Sequence, residues 1–146
     1  MEKNTRSYQQ IFNFASTARG YLTIHKDETK LKYAIERTLE SLNSNIKTYQ
    51  SALADLRLDN AFVNDKGVVP FTTNDQGVRT YEYSKDGIKA LDKAIEDLFQ
   101  SKVEVSVHYA TELPGDFEEP YREIFEGFVI KEEKAAKSKG DLEKVK

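Results

Sequence analysis

The chain has 146 residues, 38% hydrophobic and 32% charged, with a formal charge of −3, two histidines and no cysteine. That length suits one domain, and the composition excludes disulfides and thiolate metal sites and nearly excludes a histidine-rich zinc site. The stretch from Lys131 to Lys146 carries six Lys against Glu132, Glu133, Asp141 and Glu143, a net of +2, which leaves −5 on residues 1 to 130; so acidic a body speaks against a nucleic-acid partner.

In chain order, Ser7 to Ala18 reads as a first helix with Tyr8, Ile11, Phe12, Phe14 and Ala15 on one face, ended by Gly20. Tyr21 to Ile24 reads as a short apolar link or strand. Asp27 is the expected cap of a long second helix, with Glu28 in its first turn. From Glu28 to about Leu58 there is neither Gly nor Pro, and Ile35, Leu39, Leu42, Ile46, Tyr49, Leu53 and Leu56 repeat at alternating spacings of 4 and 3. That is an unbroken helical seam.

Two turn clusters follow, Asn64-Asp65-Lys66-Gly67 and Asn74-Asp75-Gln76-Gly77. They flank β-branched and aromatic runs at 68–73 and 78–83, the pattern of a β-hairpin. Pro70 places the first run at an edge. Ser84 caps a third helix, in which Ile88, Leu91, Ile95 and Leu98 form a second, shorter seam. The expected fold is therefore α+β and mainly α. A long antiparallel helical hairpin, about 28–60 and 85–100, carries a β-hairpin at its tip. A further strand is expected at 103–109, where Val103, Val105, Val107 and Tyr109 alternate with polar residues. Asp116 and Glu119 suggest a capping box for a short terminal helix ending at Gly127. Residues 1–130 are read as a single domain, and 131–146 as a charged flexible tail.

No constellation carries chemistry. Glu112, Asp116, Glu118 and Glu119 match no calcium loop and read as a solvated helix start. His108 lies on the polar face of a strand, with no Ser or Cys nucleophile motif beside it, and His25 receives no role. The aromatics at both ends of the chain read as core in preference to a base-stacking surface. Lys85, Lys89 and Lys93 are offset by Asp92, Glu96 and Asp97. No catalytic residue, cofactor or metal is expected. No apolar run approaches the ~20 residues of a membrane span, and the first residues lead into no signal-type core, so a cytosolic product without membrane contact is expected. The two seams differ in length, so the surplus of the long one needs cover, either from the terminal segments or from another copy or protein. This makes Leu31, Ile35, Leu39, Leu42 and Ile46 the candidate partner surface.

A long helix through Tyr49-Gln50-Ser51-Ala52-Leu53, the Asp65-Lys66-Gly67 turn, Tyr81-Glu82-Tyr83-Ser84 leading into a helix, and Val103-Glu104-Val105 follow in order. Glu112-Leu113-Pro114 and Phe125-Glu126-Gly127-Phe128-Val129-Ile130 close the pattern. It resembles an uncharacterised family of small tailed-phage proteins known only as a domain of unknown function, over roughly residues 12 to 130. The resemblance implies a product of the infected bacterial cytoplasm or of the virion, and no catalytic residue. Two readings follow. One is a non-enzymatic virion component or assembly factor that works by protein–protein contact, with itself as a homo-oligomer or with another protein. The other is a phage inhibitor that binds a host defence protein.

Overall fold

In the computed structural model, which describes residues 1–132, the elements run β1 (Glu2–Ser7), α1 (Tyr8–Ile24), α2 (Lys30–Asp59), β2 (Phe71–Thr73), β3 (Arg79–Tyr81), α3 (Lys85–Gln100), β4 (Lys102–Val107) and α4 (Pro120–Phe125). The fold is mixed α and β, with helix over about half the chain. Two small antiparallel sheets, β1–β4 and β2–β3, make up the β part. The chain divides into two compact units: Met1–Asn43 with the chain from Lys102 onward, and Ser44–Ser101. The second unit is inserted in the sequence of the first, and α2 contributes residues to both. The tail expected at 131–146 lies outside the described residues from position 133 on.

In the first unit, Ser7 starts α1 with a reciprocal cap. Its hydroxyl accepts from the Gln10 N–H (3.1 Å), and the Gln10 side chain accepts from the Ser7 N–H (2.8 Å). The helix does not stop at Gly20. It continues to Ile24 because Tyr21, 3% exposed, is needed in the core, and burial of an aromatic ring outweighs the ~1 kcal/mol that Gly costs inside a helix. A Cβ at Gly20 would meet nothing within 4 Å. Gly20→Ala is therefore expected to stabilise the protein by about 0.5–1 kcal/mol, read as a rise in the thermal midpoint.

α2 begins later than expected, and its cap is not Asp27. The Thr29 hydroxyl accepts from the Lys32 N–H (3.0 Å). α1 contributes buried Tyr8, Ile11, Phe14, Ala15, Ala18 and Tyr21, and the first part of α2 contributes Leu31, Ala34, Ile35, Thr38 and Leu42. Val105 and Val107 of β4 join them, with Phe125, Phe128, Val129 and Ile130. The ring of Phe14 stacks on Phe128 at 4.5 Å between centroids and meets Phe125 edge-on at 5.6 Å. Thr38 is the one fully buried polar residue on this face of α2. Its hydroxyl accepts from the His108 N–H at 2.9 Å, which pairs the first backbone donor beyond the end of β4. The β1 strand, in register from Glu2 opposite Val107 to Ser7 opposite Lys102, was not foreseen. α4 lacks the expected Asp116 box: no side chain caps it, and Glu119 pairs with Arg122 instead.

The second unit has a thin interior, where only Ala61 and Leu91 are buried. Its loops are two copies of one turn. Asn64 N–H donates to the Val68 carbonyl and Gly67 N–H to the Asn64 carbonyl. Meanwhile the Asn64 Oδ1 accepts from the N–H groups of Lys66 and Val68. Asn74, Gln76, Gly77 and Val78 repeat the same four bonds. Both turns need a residue in the left-handed region, supplied by Gly67 (φ 77°) and Gly77 (φ 80°). As expected, Ser84 caps α3, its hydroxyl accepting from the Gly87 N–H at 3.0 Å.

Candidate functional site

His108 follows β4 in the first unit, facing the start of α2. Residues 108–111 and Glu28, Thr29, Lys30 and Tyr33 line an open cleft of about 410 Å³. The Tyr33 ring meets the imidazole edge-on at 5.3 Å. Arg37 lies over the Tyr33 ring, 5.7 Å from its centroid, and donates to its hydroxyl at 2.8 Å. The lining contains neither Ser nor Cys, and Glu28 is taken by Lys32 at 2.7 Å. The cleft is lined by His108, Lys30, Tyr33 and Tyr109 with the threonines Thr29 and Thr111. It offers aromatic and hydrogen-bonding contact in a shallow setting.

The acidic residues expected near Tyr121 do not converge. Glu112 lies 3.5 Å from Lys30, Glu118 lies 3.7 Å from His25, and Glu119 is bound by the fork of Arg122. Hydrogen bonding to that guanidinium holds the Glu119 carboxyl below the usual range. Among the described residues no three His, Cys, Asp or Glu side chains are grouped to hold a metal, and no helix is long and apolar enough to cross a membrane. His25, to which the sequence reading gave no role, closes α1. Its N–H donates to the Tyr21 carbonyl (2.8 Å), and its ring stacks on Tyr21 at 4.1 Å.

No family model, curated protein or solved structure matches the chain. The site must therefore be judged on geometry alone.

The residues expected to meet a partner all lie on α2. Leu31, Ile35 and Leu42 are 0% exposed, and Leu39 and Ile46 are half-buried. The first part of α2 meets the chain around β4 and the 125–130 segment, where the Thr38 hydroxyl lies between the His108 N–H and the Phe128 carbonyl. The same packing removes Phe14, Tyr21, Phe125 and Phe128 from any base-stacking surface.

Exposed apolar surface collects elsewhere. Of the exposed large hydrophobic residues among the described ones, Leu58, Phe62, Val63, Val68, Phe71, Val78 and Ile88 fall in one stretch of the second unit; Met1, Ile24 and Tyr33 lie in the first. Arg79 lies over the Phe71 ring at 4.4 Å, and Tyr81 meets that ring edge-on. These positions were legible as β-type residues, but their exposure was not, since alternation cannot show that a short ribbon lacks a layer beneath it.

The first unit has a measurable electrostatic signature. Burial pushes the Tyr8, Tyr21 and Tyr109 phenols up, and in Tyr21 nearby Asp116, Tyr121 and Glu118 push the same way. Folding therefore favours the neutral phenol. The stability this provides is complete below the free tyrosine value of about 10 and is lost as pH rises through the folded value. A phenolate absorbance titration is expected to show a late-ionising class coincident with loss of helix signal. Eight tyrosines titrating together at the free value would contradict it.

Proposed function

We propose that the chain is a non-enzymatic protein that works by protein–protein contact through the exposed apolar stretch of its second unit. The observation that carries this reading is the contrast between a closed, aromatic-rich first unit and a second unit that leaves Phe62, Val68, Phe71 and Val78 open to solvent. Seven half-exposed side chains of this size present on the order of 500 Å² of apolar surface, the scale at which patches on monomers are often functional.

In this reading the second part of α2 and α3 are the arms of an antiparallel helical hairpin, with β2–β3 at its tip. Tyr49 and Phe99 in ring contact at 6.3 Å support it. So does the opposite end, where the Tyr83 hydroxyl donates to the Arg57 carbonyl (3.1 Å) and a Cβ at Gly87 would lie 2.9 Å from the Asn60 carbonyl oxygen. The resemblance to small tailed-phage proteins supports a place as virion component or assembly factor. The test is mass spectrometry of purified particles made with the native chain and with Phe71→Lys. Stoichiometric presence of the native chain and its loss with the variant are expected. Absence of the native chain from particles and from every assembly intermediate would overturn the proposal.

A further inference from the structure

We infer that a second copy of this chain pairs with the first, edge to edge along β2, an inference that rests on the contact reading above. The turn after β2 decides which backbone groups are free. Asn74 N–H donates to the Val78 carbonyl and Gly77 N–H to the Asn74 carbonyl, each at 3.0 Å. Asn74 and Val78 therefore form the hydrogen-bonded pair that closes the loop. Bonded and non-bonded pairs alternate along an antiparallel ladder, so the next bonded pair is Thr72 with Thr80, which lie opposite each other. Phe71 and Thr73 consequently turn their N–H and C=O groups outward, away from β3. All three residues of β2 are exposed. The β3 side is different: residues 78–81 line a groove with Arg57, Tyr83 and Leu91.

An isolated two-stranded ribbon is marginal, and an open edge is a template for another strand. Three observations select a second copy as that strand. Antiparallel pairing about a two-fold axis is self-complementary: Phe71 faces Thr73 of the second copy, and Thr72 faces its own equivalent. Residues 62–81 carry Asp65 and Asp75 against Lys66 and Arg79, a local charge of zero. Two copies therefore meet here without like-charge repulsion although each chain is acidic overall. Finally, Phe71 is 46% exposed and shares a face of β2 with Thr73, so the pairing covers the Phe71 ring of each copy with Thr73 of the other. The two-fold pairing uses up the β2 edge of both copies, so it closes as a dimer and does not propagate into a fibre.

The chain contains no cysteine, so one substitution reports the register. Thr72 and its equivalent form a non-bonded pair with Cα atoms about 4.5 Å apart, within disulfide reach. The full-length Thr72→Cys chain is expected to form a covalent dimer under mild oxidation. The native chain is expected to show concentration-dependent dimerisation by light scattering. Thr73→Pro removes an outward N–H without touching the bonds between β2 and β3. It should weaken association by about tenfold or more, two backbone bonds being lost per dimer, while the circular dichroism spectrum stays native. Phe71→Lys provides a second variant. A native chain that stays monomeric at every concentration, with no covalent dimer from Thr72→Cys, overturns the inference. If Phe71→Lys is nonetheless lost from particles, the edge binds a different protein and the contact reading survives. If that variant is retained like the native chain, both fall.

Discussion

Phe14→Ala is expected to cost about 3–5 kcal/mol, the range for deleting a fully buried aromatic ring. Phe14 is 0% exposed, stacks on Phe128 and meets Phe125 edge-on. Its removal opens a cavity where α1 and the 125–130 segment meet, and neither can collapse into it freely. Phe128 is held by the main-chain bonds of the closing turn, in which the N–H groups of Phe128, Val129 and Ile130 all donate to the Phe125 carbonyl. Urea denaturation followed by circular dichroism measures the loss. A change below about 1.5 kcal/mol, the scale of a volume-conserving swap, would mean that the first unit repacks.

Gly127→Ala is expected to cost about 2–4 kcal/mol, for two separable reasons. Gly127 has φ 84°, a conformation that costs a residue with a Cβ about 1–2 kcal/mol. An added Cβ would also lie 1.6 Å from Arg6 Nη2 and 2.3 Å from Arg6 Cζ. The guanidinium sits directly on the glycine backbone, 5.6 Å from the Phe128 ring centroid, and forms an ion pair with Glu132. Because the Arg6 side chain is only 12% exposed, it cannot simply swing into solvent. A double-mutant cycle separates the two causes. In an Arg6→Ala background Gly127→Ala should cost only the backbone share, about 1–2 kcal/mol. Equal costs in both backgrounds would show that the close approach contributes nothing.

The local elements were legible where a local rule determines them. Ser84 reads as a cap because a hydroxyl at that position meets the Gly87 N–H, and α3 follows with the boundaries the periodicity implies. The Val103 to Val107 alternation is a strand for the same reason. β1 was not legible: Glu-Lys-Asn-Thr-Arg has no alternation of its own and is ordered by pairing with β4. Gly20 was misleading because helix propensity is worth about 1 kcal/mol and yields to burial of Tyr21. The burial of Leu31, Ile35 and Leu42 was not legible for a related reason. A heptad seam marks residues that must be covered but does not name the cover, and here the first part of α2 meets the chain around β4 and the 125–130 segment. The edge position of β2 was legible from Pro70, but the exposure of Phe71 depends also on the absence of a layer beneath the ribbon, which no local pattern encodes.

The β1–β4 sheet has a consequence for how the protein is made. Lys3 bonds to Ser106 across 103 residues, and Asn4 bonds to the Gly127 carbonyl across 123. Every bond of the duplicated turns closes within four residues. Contacts that span a short loop form first, and distant pairings wait for their partners. On the ribosome the turns and α3 can therefore form while β1 has left the exit tunnel with nothing to pair with. The first unit assembles only once β4 and the 125–130 turn emerge, so the earliest-made strand is the last to be placed. Nascent chains stalled before Lys102 should accordingly be cut readily by protease near the N-terminus, and those stalled well beyond Ile130 should resist.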